Sequence, residues 1–125
     1  MEGVCITLTI NTAIAEAQSL HPDTIPDSIK VRWLAELDGK IMRETMLRND
    51  FTPYRHPEDS DRELVVTAPY DNIYTLYVMA MSDFFSGEME NYSASAALFD
   101  TAYAEFRKNY IRNHLPPLTA FGIVR

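Results

Sequence analysis

Apolar side chains recur at steps of three and four residues through most of this 125-residue chain, the spacing of amphipathic helices. The first run follows Thr9, a good N-cap residue, and continues to Leu20, where "HPD" ends it. A second run begins near residues 26–28 and extends past Gly39. The pattern therefore predicts two helices in the N-terminal half. Gly39 interrupts the second at a cost of about 1 kcal/mol relative to alanine, which a close helix crossing or a bend would explain.

The C-terminal half predicts two further helices joined at Gly87. The third is "PYDNIYTLYVMAMSDFFSG", with Asp71 as its predicted cap. The fourth runs from about Glu88 to Asn113, and six of its residues recur at alternating steps of four and three. We call these residues the aromatic seam: Tyr92, Ala96, Phe99, Tyr103, Phe106 and Tyr110. The tight glycine turn predicts an antiparallel αα-hairpin in which the aromatic seam packs against the third helix.

The third predicted helix is apolar on more sides than one partner helix would cover. At about 100° per residue, its polar residues gather in a sector about 120° wide. The aromatic seam covers one apolar face and the first two helices can cover a second. The remaining side carries Tyr74, Val78, Met81 and Phe85. We therefore predict that Tyr74 and Met81 contact another copy of the chain.

Three segments lack a helical pattern. Residues 49–67 contain "PEDSDRE" and end in "LVVT", which predicts a long surface loop with a short extended end that is either mobile or has a specific role. Residues 1–8 predict a short strand or an extended arm. Residues 115–125 form a tail too short to bury its own apolar side chains, and we predict that Phe121, Ile123 and Val124 contact another subunit. The whole chain, 1–125, is predicted to be a single all-α domain with a helical core over residues 9–114.

Composition narrows the classes of function. Hydrophobic residues make up 46% of the chain, which suits one globular core. Eighteen acidic residues against eleven basic ones give a formal charge of −7, the wrong sign for binding a phosphate backbone. Cys5 is the only cysteine, so an intrachain disulfide is impossible and a reducing compartment is expected. Neither a signal peptide nor a membrane-spanning apolar run is apparent, which predicts a soluble intracellular chain.

None of the candidate metal-binding motifs has the residues or the spacing that a metal site requires. His21, His56 and His114 are scattered, without the spacing of metal ligands. The "DSDRE" stretch resembles the start of an EF-hand loop, but the sixth and twelfth positions are Leu64 and Tyr70 instead of glycine and glutamate. We therefore predict no catalytic residue, no cofactor, no metal site and no small-molecule substrate.

Two stretches nevertheless carry a family resemblance. "KVRWLAELDGKIMRE", residues 30–44, resembles a KxRWLxELDG segment. Residues 68–114 resemble the pattern PYDxxYxxYxxAxxDxxxGExxxYxxSxxLFxxAYxxFxxxY. "TINTAIAEAQSLHP" resembles the opening helix of the same group. These segments are similar to small helical phage and prophage proteins that resemble the head–tail connector (adaptor) proteins of tailed phages.

The resemblance implies a structural subunit that forms an oligomeric ring on the phage portal and lets DNA pass through a central channel. Its partners would be other copies of itself, the portal and tail-completion proteins. It would assemble in the bacterial host cytoplasm and reside in the virion neck. The "GVCITLTI" arm and the "LPPLTAFGIVR" tail lie outside the resemblance and are predicted to bridge subunits. The alternative is a small intracellular helical module that binds a peptide or protein in an apolar groove.

Overall fold

The computed structural model describes residues 8–20, 22–59 and 61–114 of the chain. Its elements, in order, are α1 (Ile10–Leu20), α2 (Asp27–Lys40), a π-helical turn (Ile41–Thr45) that continues α2, α3 (Asn72–Phe85) and α4 (Met89–His114). Among these residues, extended pairing amounts to one antiparallel bridge, between Thr9 and Glu63. The predicted all-α fold with four helices is confirmed.

α1 begins where its capping residue predicts. The Thr9 hydroxyl oxygen accepts a hydrogen bond from the N–H of Thr12 at 3.2 Å, and the Thr9 carbonyl accepts one from the N–H of Ala13 at 2.9 Å. These bonds satisfy amide groups that have no partner within the first turn of a helix. The apolar side of α1 then faces the core, with Ile10 and Ala13 fully buried.

The residues before α1 pair with the end of the long loop. The N–H of Leu64 donates to the carbonyl of Leu8 at 2.9 Å, and the N–H of Ile10 donates to the carbonyl of Arg62 at 3.0 Å. The described end of the predicted N-terminal arm is therefore extended and hydrogen-bonded. The rest of that arm, residues 1–7, lies outside the described residues.

The loop between the π-helical turn and α3 contributes to the core. Tyr54, Leu64 and Val66 are all buried. Phe51 also packs beside Gly39, where the methyl group of an alanine would lie only 3.3 Å from the Phe51 ring. The loop therefore does more than cross the surface, and the glycine in α2 leaves room for a loop side chain instead of a crossing helix.

α3 and α4 form the predicted antiparallel hairpin. Gly87 has a φ of +77°, a left-handed conformation that glycine adopts without strain, and it ends α3. Asp71 occupies the N-cap position of α3, but its side chain makes no capping hydrogen bond. Three ring pairs join the aromatic seam to α3 and the residues that flank it: Tyr92 with Phe84, Phe99 with Tyr77, and Phe106 with Tyr70, at centroid distances of 5.4, 5.2 and 6.4 Å.

α3 is the central helix, because it packs against α1, α2 and α4. Tyr74 is 0% exposed and Val78 is 1% exposed. The prediction that Tyr74 contacts another copy of the chain is therefore wrong. Its side of α3 is covered by the same chain, by α2 and by the end of the long loop, and the Tyr74 hydroxyl is hydrogen-bonded to both.

Candidate interaction surface

A buried carboxylate connects α2, the long loop and α3. The Tyr74 hydroxyl donates to Asp38 Oδ1 at 2.5 Å, and the Tyr54 hydroxyl donates to Asp38 Oδ2. The N–H of Val65 also donates to Oδ2, at 3.2 Å, while the N–H of Val66 donates to the Tyr74 hydroxyl at 2.7 Å. We call these five residues the Asp38 hub. Each of its polar groups has a partner, as buried polar groups require.

Burial dominates the protonation of the Asp38 hub. Loss of solvent raises the pKa of Asp38 above its usual value, against the opposing influence of the hydrogen bonds from Tyr54, Tyr74 and Val65. Burial and the nearby carboxyl group of Asp38 raise the pKa of both tyrosines, so both stay neutral hydrogen-bond donors. Because Asp38 is 0% exposed and already engaged by three donors, its carboxyl group serves to hold the elements together.

A buried ammonium group performs a similar role at the start of α2. Lys30 is 1% exposed, and its Nζ lies 2.9 Å from Asp23 Oδ1 and donates to Gln18 Oε1 at 2.8 Å. Asp23 also accepts a hydrogen bond from the N–H of Ile25, at 3.0 Å. Partial burial raises the pKa of Asp23, but the bonds from Lys30 and Ile25 outweigh it and leave the pKa below its usual value. The ion pair between Lys30 and Asp23 therefore ties α2 to the segment that connects it with α1.

The exposed surface carries an apolar patch where α3 turns into α4. We call this patch the corner surface, and it consists of Ile29, Phe84, Phe85 and Met89, which are 38%, 49%, 62% and 51% exposed. The ring of Phe85 stacks on the buried Trp33 at 5.3 Å, and the rings of Phe84 and Phe85 meet edge to face at 5.8 Å. Neighbouring large apolar side chains left in water are typical of a surface that binds another protein.

An apolar groove of about 510 Å³ continues from the corner surface. This corner groove lies between the start of α2 and the end of α3, and its apolar lining is Ile25, Pro26, Ile29, Trp33, Met81 and Phe85. Arg32 and Glu36 supply its charged lining and lie 3.8 Å apart as an exposed ion pair. The groove therefore offers aromatic and aliphatic contacts, with charge confined to one opposed pair.

A second groove, of about 700 Å³, follows the other side of α2 towards the long loop. Phe51, Pro53 and Tyr54 supply apolar surface there. Its lining also includes titratable side chains, namely Arg32, Glu36, Lys40, Arg43, Glu44 and His56. This groove is larger but more polar than the corner groove, so burial of apolar surface would contribute less to binding within it.

The residues predicted as subunit contacts lie in different parts of the structure. Tyr74 belongs to the core and to the Asp38 hub, which removes it from any surface. Met81 is partly buried and lines the corner groove, so it stays a candidate contact. Phe121, Ile123 and Val124 lie outside the described residues. Ile29, Phe84 and Met89 were not predicted as subunit contacts, although two adjacent phenylalanines within three residues of a helix-ending glycine are a recognisable signal.

Two other classes of site have no counterpart in the part of the chain that the structure describes. Within residues 8–20, 22–59 and 61–114, no group of three or more His, Cys, Asp or Glu side chains is placed to hold a metal ion. Across the same ranges, none of the helices combines the length and the apolar character needed to cross a membrane.

Comparisons of the chain with protein-family models, with curated proteins and with solved structures found no match.

Proposed function

We propose that this chain is a subunit of a head–tail connector of a tailed phage, acting through self-association and through binding to the portal. The observation that carries the proposal is the corner surface, where Phe84, Phe85 and Ile29 are exposed beside an apolar groove. Such a surface gains free energy when a protein partner covers it, at roughly 25 cal/mol per Å² of apolar area removed from water.

The location of the resembling segments supports the proposal. Residues 30–44 form most of α2 and the π-helical turn, and residues 68–114 form α3 and α4. These elements pack together, and the Asp38 hub joins them. The resemblance therefore extends over one contiguous body of the fold, with the corner surface at one end of it.

The charge of the chain fits the proposed role. With a net charge of −7, a ring of such subunits would present a repulsive wall to DNA, and it would let the DNA pass without binding it. The proposed partners are further copies of the chain, the portal and tail-completion proteins. Assembly would take place in the host cytoplasm, and the finished ring would sit in the virion neck.

The proposal is tested by measuring native mass by light scattering over a concentration series, with and without the matching portal protein. We expect a closed ring, either alone or on the portal, visible as such by electron microscopy. Phe85→Ser should weaken the assembly, whereas Leu47→Ser should not, because Leu47 is an apolar side chain of similar exposure (71% against 62%) that lies outside the corner surface. A monomer of constant mass that ignores the portal would refute the connector proposal.

The second candidate function is a small protein-binding module, and the groove of about 700 Å³ beside Phe51 and Tyr54 favours it. Phe51, Pro53 and Tyr54 supply apolar surface beside the charged side chains of Lys40, Arg43 and Glu44, a lining that suits a peptide of mixed character. This candidate predicts a discrete monomer or dimer with saturable binding of a single partner. The mass measurements that test the connector proposal therefore separate the two functions.

A further inference from the structure

The corner groove has a candidate occupant within the sequence of this chain. We propose that the groove of each copy receives residues 118–124 from the C-terminal tail of a neighbouring copy. This inference rests on the proposed function, because it supplies the contact that would join adjacent subunits of the ring.

The chemistry of the two partners matches. The sequence from Leu115 to Val124 contains no charged residue, and it carries Leu118, Phe121, Ile123 and Val124. The corner groove is lined by aromatic and aliphatic side chains, and the opposed charges of Arg32 and Glu36 lie close together. Two copies with a net charge of −7 repel each other, so a contact made by an uncharged segment adds no further like-charge repulsion.

The geometry argues against a subunit filling its own groove. Phe84 contacts Tyr92, so Phe85 and the end of the corner groove lie near the start of α4. From Tyr92 to His114, α4 rises by about 33 Å at 1.5 Å per residue. The seven residues from His114 to Phe121 span at most about 25 Å, even when fully extended.

The near end of the groove is also too distant. Met81 lies about one helical turn closer to the end of α4, which still leaves about 27 Å along the helix axis. A further sideways step of about one interhelical spacing, 8–10 Å, separates α4 from the groove side of α3. The backbone at Phe121 therefore falls short of the groove of its own copy, and only an almost fully extended tail would bring Ile123 or Val124 there. The distances thus favour insertion into the groove of another copy.

The arrangement allows two kinds of assembly. α4 ends at one end of the α3–α4 hairpin, and the groove lies at the other end. An antiparallel pair could exchange tails in a closed two-fold dimer. Parallel neighbours would each donate to the next copy, a heterologous contact that closes into a ring when the rotation between copies permits it, and the proposed function requires this second arrangement.

Trp33 provides a direct readout of groove occupancy. It is the only tryptophan of the chain, and it stacks on Phe85 within the corner groove. The experiment titrates a synthetic peptide, LPPLTAFGIVR, into the full chain carrying Phe121→Glu, so that no native tail competes. We expect a saturable change in Trp33 fluorescence. Because hot-spot aromatic side chains contribute strongly, Phe85→Ser should weaken peptide binding at least about tenfold.

Matched variants sharpen the titration. Ile29→Ser removes a second groove contact and should also weaken peptide binding. Ile29 is 38% exposed and does not belong to the buried core, so the variant should still fold. Leu47→Ser should leave affinity unchanged within about twofold. A peptide carrying Phe121→Glu should bind at least about tenfold more weakly than the native peptide.

The inference is overturned if the peptide does not saturate, or if neither groove variant changes its affinity. It is also overturned if the wild-type chain stays monomeric while its Trp33 signal matches the peptide-filled state, because the tail would then occupy its own groove. Portal binding of the same variants keeps the two proposals apart. A ring or portal complex that forms without tail binding overturns this inference alone, whereas tail binding with neither a ring nor a portal complex overturns only the connector.

Discussion

Replacing Tyr74 by phenylalanine removes one oxygen atom from the centre of the core and leaves the ring in place. That oxygen has two roles, because the hydroxyl donates to Asp38 Oδ1 and accepts from the N–H of Val66. Tyr74 is 0% exposed, so water cannot replace either bond without entering the core. The substitution therefore leaves two buried polar groups with one partner fewer each.

A matched substitution exists within the same hub. The Tyr54 hydroxyl donates to Asp38 Oδ2, an oxygen that keeps the N–H of Val65 as a second donor. A hydrogen bond to a charged group contributes about 1.5–3 kcal/mol, and a stranded buried donor costs about 1–3 kcal/mol. We expect Tyr54→Phe to lower the free energy of unfolding by about 1.5–3 kcal/mol, and Tyr74→Phe to lower it by about 3–5 kcal/mol.

The assay is urea unfolding of the two variants and the wild type, followed by the circular dichroism of the helices. Equal slopes with urea would show that the same surface is exposed on unfolding, so the differences in midpoint report stability. In thermal unfolding, the larger loss corresponds to a fall of roughly 10–20 °C in Tm for a chain of this size. The reasoning is refuted if Tyr54→Phe costs as much as Tyr74→Phe, or if Tyr74→Phe costs less than about 1 kcal/mol.

Three further predictions concern local features of the chain. Gly87→Ala should lower the free energy of unfolding by about 1–2 kcal/mol in thermal unfolding, because φ is +77° at this position. The added methyl group itself would meet no other atom within 4 Å. Gly87→Asn should cost less, because asparagine tolerates the left-handed conformation better than alanine. Thr9→Ala should lower the free energy of unfolding in urea by about 1 kcal/mol, because the helix cap is lost. Thr9→Ser keeps a capping hydroxyl and should retain most of the wild-type stability. The pKa of Asp23 is lower in the folded chain than its ordinary value of 3.8. Its pairing with Lys30 therefore stabilises the fold fully at a pH above 3.8, and this stabilisation is lost as the pH falls through the folded pKa. The stability difference between wild type and Asp23→Asn should therefore vanish in acid, and a difference that persists there would contradict this assignment.

The helices and their ends were predictable because their causes are local. The N-cap at Thr9 and the left-handed turn at Gly87 depend on residues within a few positions of each feature. The aromatic seam was also predictable, since two adjoining helices joined by a tight turn have little choice of partner. Its ring contacts with α3 confirm the predicted hairpin.

The hub was missed because its partners are far apart in the sequence. Asp38 and Tyr74 are separated by 36 residues, and no local period relates them. A signal was nevertheless present: Asp38 follows Leu34 by four residues and precedes Ile41 by three, which places a carboxylate on the apolar side of α2. Without the hub, Tyr74 looked like a surplus apolar residue and was wrongly predicted to contact another subunit.

The resemblance and the corner surface carry different kinds of information. Of the 25 residues at fixed positions of the resembling patterns, ten are buried and nine are partly buried. The buried ones include Lys30, Trp33, Asp38, Tyr74, Asp83 and Ser95. Six are exposed, among them Leu98 at 59%. Phe84 and Phe85, in contrast, occupy positions that the pattern leaves open, and both are exposed. A pattern of buried residues specifies a fold, whereas the choice of partner depends on the surface. Substitutions in the Asp38 hub should therefore lower the stability of the fold, and substitutions in the corner surface should change what the folded chain binds.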